Sequence, residues 1–394
     1  MQKKTVRDED VLGKRVLVRV DFNVPLDQNG HIEDDSRIRA CLPTITYLID
    51  HRARVIICSH LGRPQGKVDE HLMMGPVARR LSELLKRPVE SLRRVTGPDV
   101  ERAVSTMHDG DVLLLENLRF CPGEEENNPV FARDLSRLAD LFVNDAFGAS
   151  HRAHASTTGV AAYLPCVAGL LMEKEIEQLG RLLEDPAPPF AVILGGAKVG
   201  EKMGILENII PRADLILIGG GVAATFLKSR GCEVGISAVE PDKIKLVDTI
   251  MHKAGARGVR VLLPADVVVT EKPESGATFR VVSADKIPAD QRIADIGPLT
   301  IREYTRELKK CRTVAWNGPM GIFEIPPFFE GTKAVAGVLA GLNATTIIGG
   351  GSTAEAVTQL GLAGKMTHVS TGGGAFLQFL SGKTLPGVAV LADR

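Results

Sequence analysis

The sequence of 394 residues has no charge excess of either sign: 48 lysines and arginines balance 48 aspartates and glutamates. That removes the overall basic surplus expected of a protein whose main partner is nucleic acid, so any anion site must be local. Cysteines are few and unpaired in pattern. The six (Cys41, Cys58, Cys121, Cys166, Cys232 and Cys311) include no C-x-x-C and no His/Cys cluster at zinc spacing, which reads as reduced thiols filling cores in a cytoplasmic protein. No apolar segment near the start looks like a signal peptide, and no stretch approaches about 20 uninterrupted apolar residues, so neither export nor a membrane span is expected. Two catalytic signatures are also missing. There is no G-x-S-x-G elbow for serine hydrolysis, and the lone G-K-T, at Gly382, Lys383 and Thr384, has Leu377 where a Walker loop needs its first glycine.

A chain this long exceeds what one core usually serves, and two domains of about 150 to 200 residues are expected. Short β-branched runs recur: Val16 to Val20, Val55 to Cys58, Val112 to Leu115, Leu141 to Val143, Ala191 to Leu194, Leu215 to Ile218, Val261 to Leu263, Val314 to Trp316 and Thr346 to Ile348. Helical spacing lies between most of them, as in Val77, Leu81, Leu84, Leu85 and Met172, Ile176, Leu179, Leu182, Leu183. Near-continuous apolar strands separated by helices predict an α/β fold of doubly wound parallel sheets, which bind ligands at the carboxyl ends of their strands.

The strand ends differ between the halves. In the first half they carry "DFNVP" with Arg37 beyond, "SHLGRP", "ENLRF" and "NDAFGASHRAHAS", a ring of arginines and histidines that includes His60, Arg63, Arg119, His151 and Arg152. In the second they carry "GGAKVGEK" (195 to 202), "GGGVAAT", "PADVVV", "WNGPMG", "GGGST" and "TGGG", a ring of glycines. Glycine lets backbone amides approach a phosphate closely, and a helix starting there adds its dipole. One half suits a small, highly anionic molecule and the other a nucleotide. Simpler readings apply elsewhere: Arg93, Arg94 and Arg181 as surface charges, Glu124, Glu125 and Glu126 as a solvated loop, and His151 with His154 as no metal site, since no carboxylate completes the set.

The stretches "RVDFNVPL" (19 to 26), "SHLGRP" (59 to 64), "ENLRF" (116 to 120), "GGAKVGEK", "WNGPMGIFE" (316 to 324) and "HVSTGGGAF…LPGV" resemble phosphoglycerate kinases, in that family's order and across nearly the whole chain. The resemblance implies two α/β domains facing each other across a hinged cleft: residues 1–170, rejoined by about 378–394, for the triose phosphate; a hinge helix at 171–185; and 186–377 for the nucleotide. It implies transfer of a phosphoryl group between 1,3-bisphosphoglycerate and ADP, giving 3-phosphoglycerate and ATP, with Mg2+, in a monomer with neither nucleic-acid nor membrane partners. The family's triose site maps onto Asp21, Phe22, Asn23, Arg37, His60, Leu61, Gly62, Arg63, Arg119 and Arg152. Its nucleotide site maps onto Lys198, Lys202, Gly219, Gly220, Gly221, Gly297, Asn317, Glu324 at the ribose, Gly350, Gly351, Ser352 and Thr353. Gly372 to Gly374, with Gly373 at the centre, would bring amides to the phosphoryl group in flight.

The attacking oxygen is already ionised near neutral pH, so the reaction needs no general base, and no evident one is present. It needs two anions aligned and charge compensated, which arginine forks and mobile lysines supply. Lys198 and Lys202 are expected to hold the transferred group, with Arg37 closing on it. One departure stands out: Ser352 occupies the place of the family's magnesium-holding aspartate, leaving a hydroxyl of Ser352 or Thr353, or phosphates and water alone, to hold the metal. Competing readings are a catalytically inactive nucleotide-binding scaffold and a kinase for another small carboxylate. The three charged residues all being present opposes the first, and the arginine ring, which fits a substrate that itself bears phosphate, opposes the second.

Overall fold

A computed structural model describes residues 2–394. The first six-stranded sheet contains β1 (Arg15–Arg19), β2 (Arg54–Cys58), β3 (Glu90–Ser91), β4 (Val112–Leu114), β5 (Leu141–Asn144) and β6 (Cys166–Ala168), in the order β3-β4-β2-β1-β5-β6. All its pairings are parallel. The central strands are buried along almost their whole length, as expected where helices cover both faces. Those helices start on local signals. Pro129 sits at the first turn of Pro129–Ser136, after Asn128 has capped the amides of Val130 and Phe131 with its side chain.

The second half repeats the plan with β7 (Phe190–Leu194), β8 (Leu215–Ile218), β9 (Arg260–Leu262), then β10 (Asp266–Thr270), β11 (Arg280–Ser283), β12 (Arg292–Ile296), and finally β13 (Thr313–Asn317), β14 (Thr345–Gly349) and β15 (His368–Val369). The parallel sheet runs β15-β14-β13-β7-β8-β9. "PADVVV" is not a loop beyond a strand, as its position among the glycine runs suggests. Its valines form β10, the middle strand of a separate antiparallel sheet, β11-β10-β12.

The chain divides into two compact units, one through Glu177 together with Thr384–Arg394 and the other Gln178–Lys383, so helix Leu170–Glu184 contains the crossing point. Each unit has its own apolar core, gathered around Val18, Ile57 and Val143 in the first and around Ile193, Trp316 and Ile348 in the second. The C-terminal segment is stitched into the first unit. The Ala392 amide donates to the Cys166 carbonyl (2.9 Å), Lys4 donates to Ala392 (2.8 Å), and Arg394 pairs with Asp8 (2.9 Å). Helix Gly374–Leu380 remains with the second unit, packed against Gly200–Ile209.

Candidate active site

In the first unit the chain diverges between adjacent strands β1 and β5, the kind of switch point where such sheets open a crevice. Asp21, just beyond β1, accepts a hydrogen bond from Arg37 Nη1 at 2.5 Å. Burial opposes ionisation of Asp21, but the Arg37 guanidinium, with Arg19 behind it, outweighs this and holds its carboxyl down at about 2. Asn23 reaches across to the loop after β2, its Oδ1 accepting the Gly62 amide (2.8 Å). Phe22 is tied to the same loop, its amide donating to Ser59 Oγ (2.8 Å). Asn117 clasps that loop from the β4 side, accepting from the Leu61 amide (3.2 Å) and donating to the Leu61 carbonyl (2.7 Å). Arg119 donates to the Gly62 carbonyl (2.7 Å) and faces Glu125 at 3.2 Å. Arg152 Nε donates to His151 Nε2 (3.1 Å) while His151 Nδ1 contacts the Gly148 carbonyl (2.9 Å), an arrangement that requires neutral imidazole with its proton on Nδ1. Burial, reinforced by Arg152, lowers the His151 pKa accordingly. Arg63 is exposed. The structure thus brings Asp21, Phe22, Asn23, Arg37, His60, Leu61, Gly62, Arg119 and Arg152 to one end of one sheet.

Two features beneath this ring were not anticipated. Arg19, the last residue of β1, is 1% exposed. Its Nε donates to Ser156 Oγ (2.8 Å), Nη1 to the Val20 carbonyl, and Nη2 meets His60 Nδ1 at 3.2 Å. An arginine inside the apolar run Val16 to Val20 is the available signal. The second is a correction: Glu124 does not belong to a solvated loop. Glu125 and Glu126 are exposed, but the short helix Pro122–Glu125 turns Glu124 inward to 0% exposure, where Ser156 binds its carboxylate through Oγ (2.6 Å) and the backbone amide (3.0 Å). Arg19 lies 4.0 Å away and His154 3.8 Å. A carboxylate does therefore adjoin His154, yet no group of three metal-ligating side chains occurs among the described residues.

In the second unit the equivalent switch point lies between β7 and β13. Lys202, buried in the first turn of helix Gly200–Ile209, donates its Nζ to Asn317 Oδ1 at the end of β13, and Asn317 Nδ2 donates to the Gly349 carbonyl at the end of β14 (2.8 Å). One lysine is thereby fixed across three strand ends. Burial lowers its pKa to about 8. Lys198 is exposed and 3.4 Å from Glu201. The helix start before Lys202 has no cap of its own, and the Glu240 carboxylate supplies one, accepting from the amides of Val199 and Gly200.

Several glycines here are required by packing. A Cβ on Gly220, which has φ +58°, would lie 2.6 Å from the Gly196 nitrogen and the Pro319 oxygen, and one on Gly297 would lie 2.3 Å from the Asp266 carboxyl. Gly219 and Gly221 belong to the same interlocked loops, and Gly350 adjoins Asn317. Gly351 and Gly373 differ, since nothing lies within 4 Å of a Cβ at either. Ser352 is exposed in the first turn of helix Gly351–Gln359, whereas Thr353 is buried with its Oγ1 accepting the Gly318 amide (2.7 Å). Of the two hydroxyls considered for a metal, Ser352 faces solvent. Glu324 lines an open cleft of about 620 Å³ whose apolar wall, Phe323, Pro326, Phe329 and Leu360, is shared with the polar side chains of Glu330, Lys333, Glu355 and Gln359.

A family model described as phosphoglycerate kinase matches residues 6–383. Phosphoglycerate kinases of Pelotomaculum thermopropionicum and Dictyoglomus turgidum are 58% and 56% identical, over 394 and 398 aligned residues, with both partners covered completely. Among solved structures, the phosphoglycerate kinase of Coxiella burnetii is 40% identical with a TM-score of 0.87, and that of Pyrococcus horikoshii 34% identical with a TM-score of 0.88; each alignment covers 98% of both chains.

Proposed function

The chain belongs to the phosphoglycerate kinase family and catalyses reversible phosphoryl transfer between 1,3-bisphosphoglycerate and ADP, giving 3-phosphoglycerate and ATP; from this premise we propose how its residues divide the work. The observation that carries the division is that one sheet ends in charged side chains and the other in backbone amides with two lysines.

Arg63, Arg119 and Arg152 hold the phosphate that is not transferred, and Asp21, Asn23 and His60 orient the glycerate. Arg37, held in place by Asp21, compensates charge on the moving group. Lys202, braced by Asn317, marks where the nucleotide phosphates lie, and exposed Lys198 follows the phosphoryl group between donor and acceptor. Amides around Gly373 approach the same group because no side chain obstructs them. Glu324 and the apolar cleft beside it receive the nucleoside, with Gly219 to Gly221, Gly297, Gly350 and Gly351 shaping the loops around it. Closure about helix Leu170–Glu184 excludes the water that would hydrolyse an acyl phosphate.

Among the described residues no cluster of carboxylates or other metal-ligating side chains forms a cage for a divalent cation, so Mg2+ fits as a substrate component carried on the nucleotide phosphates, neutralising them, with the Ser352 hydroxyl as the protein group at hand. The enzyme works in the cytoplasm as a monomer on small-molecule substrates. A coupled assay with 3-phosphoglycerate and MgATP, repeated with other small carboxylates, tests the substrate reading; turnover of an unphosphorylated carboxylate at comparable kcat/KM would overturn it.

A further inference from the structure

Glu124 and Ser156 are not among the residues proposed above to touch substrate, yet they tie the loop bearing Arg119 to the segment bearing Arg152 and, through Arg19, to His60. Glu124 follows the Arg119 loop, and its backbone carbonyl accepts the Ala155 amide (2.9 Å). Ser156 ends the segment bearing His151 and Arg152. Its hydroxyl has one proton, given to Glu124 Oε1 (2.6 Å), and the same oxygen accepts from Arg19 Nε (2.8 Å). Both Glu124 oxygens accept, Oε2 from the Ser156 amide (3.0 Å), as an ionised carboxylate does. Arg19 is only a donor, so its contact with His60 Nδ1 (3.2 Å) makes that nitrogen the acceptor and leaves the proton on Nε2, which points toward Asp21 Oδ1 at 3.9 Å.

We propose that Glu124 and Ser156 are positioning residues for triose-phosphate recognition: the buried Glu124–Ser156–Arg19 chain fixes the Arg152 segment against the Arg119 loop and sets the tautomer of His60. A carboxylate suits this place because it offsets a fully buried guanidinium whose other contacts are neutral. The inference rests on the reading that Arg119 and Arg152 bind the phosphate of 3-phosphoglycerate, and its test separates the two.

Steady-state kinetics of Glu124→Gln and Ser156→Ala, with Arg119→Ala and Arg152→Ala alongside, are combined with nitrogen chemical shifts of His60. Ser156→Ala keeps both buried charges, so it remains informative if Glu124→Gln does not fold. The expected result is a rise in KM for 3-phosphoglycerate of about tenfold or more in both network variants, KM for ATP within twofold of the parent, and a His60 tautomer that is Nε2-protonated in the parent and mixed in the variants. If the arginine variants raise that KM and the network variants change only thermal stability, the inference fails while the site reading stands. If the arginine variants leave it unchanged, the site reading fails first.

Discussion

The two strand-end clusters prepare for anions by opposite means. In the first unit, charged side chains are locked by other side chains, with Glu124, Asp21 and Asn117 buried beneath or between the arginines. In the second, backbone loops are locked by the absence of side chains, since Gly196 and Pro319 approach Gly220 too closely for a Cβ there. Both are forms of pre-organisation, but they fail differently. Truncating a side chain in the first unit loosens the loop or arginine that it holds, whereas adding a methyl in the second displaces the backbone of the loops themselves.

The largest effect belongs to the pair expected to act on the moving phosphoryl group. Arg37→Ala and Lys198→Ala should each cost roughly 3 to 5 kcal/mol in kcat, with much smaller changes in either KM, because the charge is needed chiefly between donor and acceptor. Single-turnover rates check this, and near-normal turnover in either variant would remove that residue from the chemistry. Next in size, Gly220→Ala should destabilise the second unit by about 2 to 4 kcal/mol through backbone strain and overpacking. Thermal unfolding followed separately in the two units would show it, and an unchanged transition would mean that these loops yield easily.

A smaller effect concerns pH. Lys202 is charged below about 8 and loses its proton as pH rises through that value, because burial favours the neutral amine. The kcat/KM for ATP should therefore fall on an alkaline limb near that pH, and Lys202→Arg should move the limb beyond reach. The first unit offers the contrast: Asp21, held at about 2, should contribute no titration of 3-phosphoglycerate binding between pH 5 and 9. The smallest effect is at Ser352. Ser352→Asp should lower the free magnesium needed for half-maximal activity several-fold, which titration of activity against free metal measures; superimposable curves would show that the position does not face the ion.

Much of this was legible in the sequence because parallel strands buried on both faces are written as unbroken apolar runs. The strand-end loops were legible because they hold the chemistry-bearing residues. The antiparallel sheet was not, since β11 is only Arg280–Ser283, mostly exposed, and its partner β10 looks like any other valine run. Glu124 was hidden for a different reason: in three consecutive glutamates nothing local marks the one that a single helical turn directs inward. Arg19, at the head of "RVDFNVPL", shows no role in the sequence, because burial of a guanidinium depends on partners more than a hundred residues away, of which Ser156 is one.

The stitching of Thr384–Arg394 beside β6 carries a consequence for biogenesis. A ribosome delivers the whole of Gln178–Lys383 before the strip that covers the Cys166 edge exists, so the second unit can complete its core first while the other waits with an open hydrogen-bonding edge. The order of completion thus reverses the order of the units along the chain, and the unit whose strands are synthesised earlier is the later to be sealed.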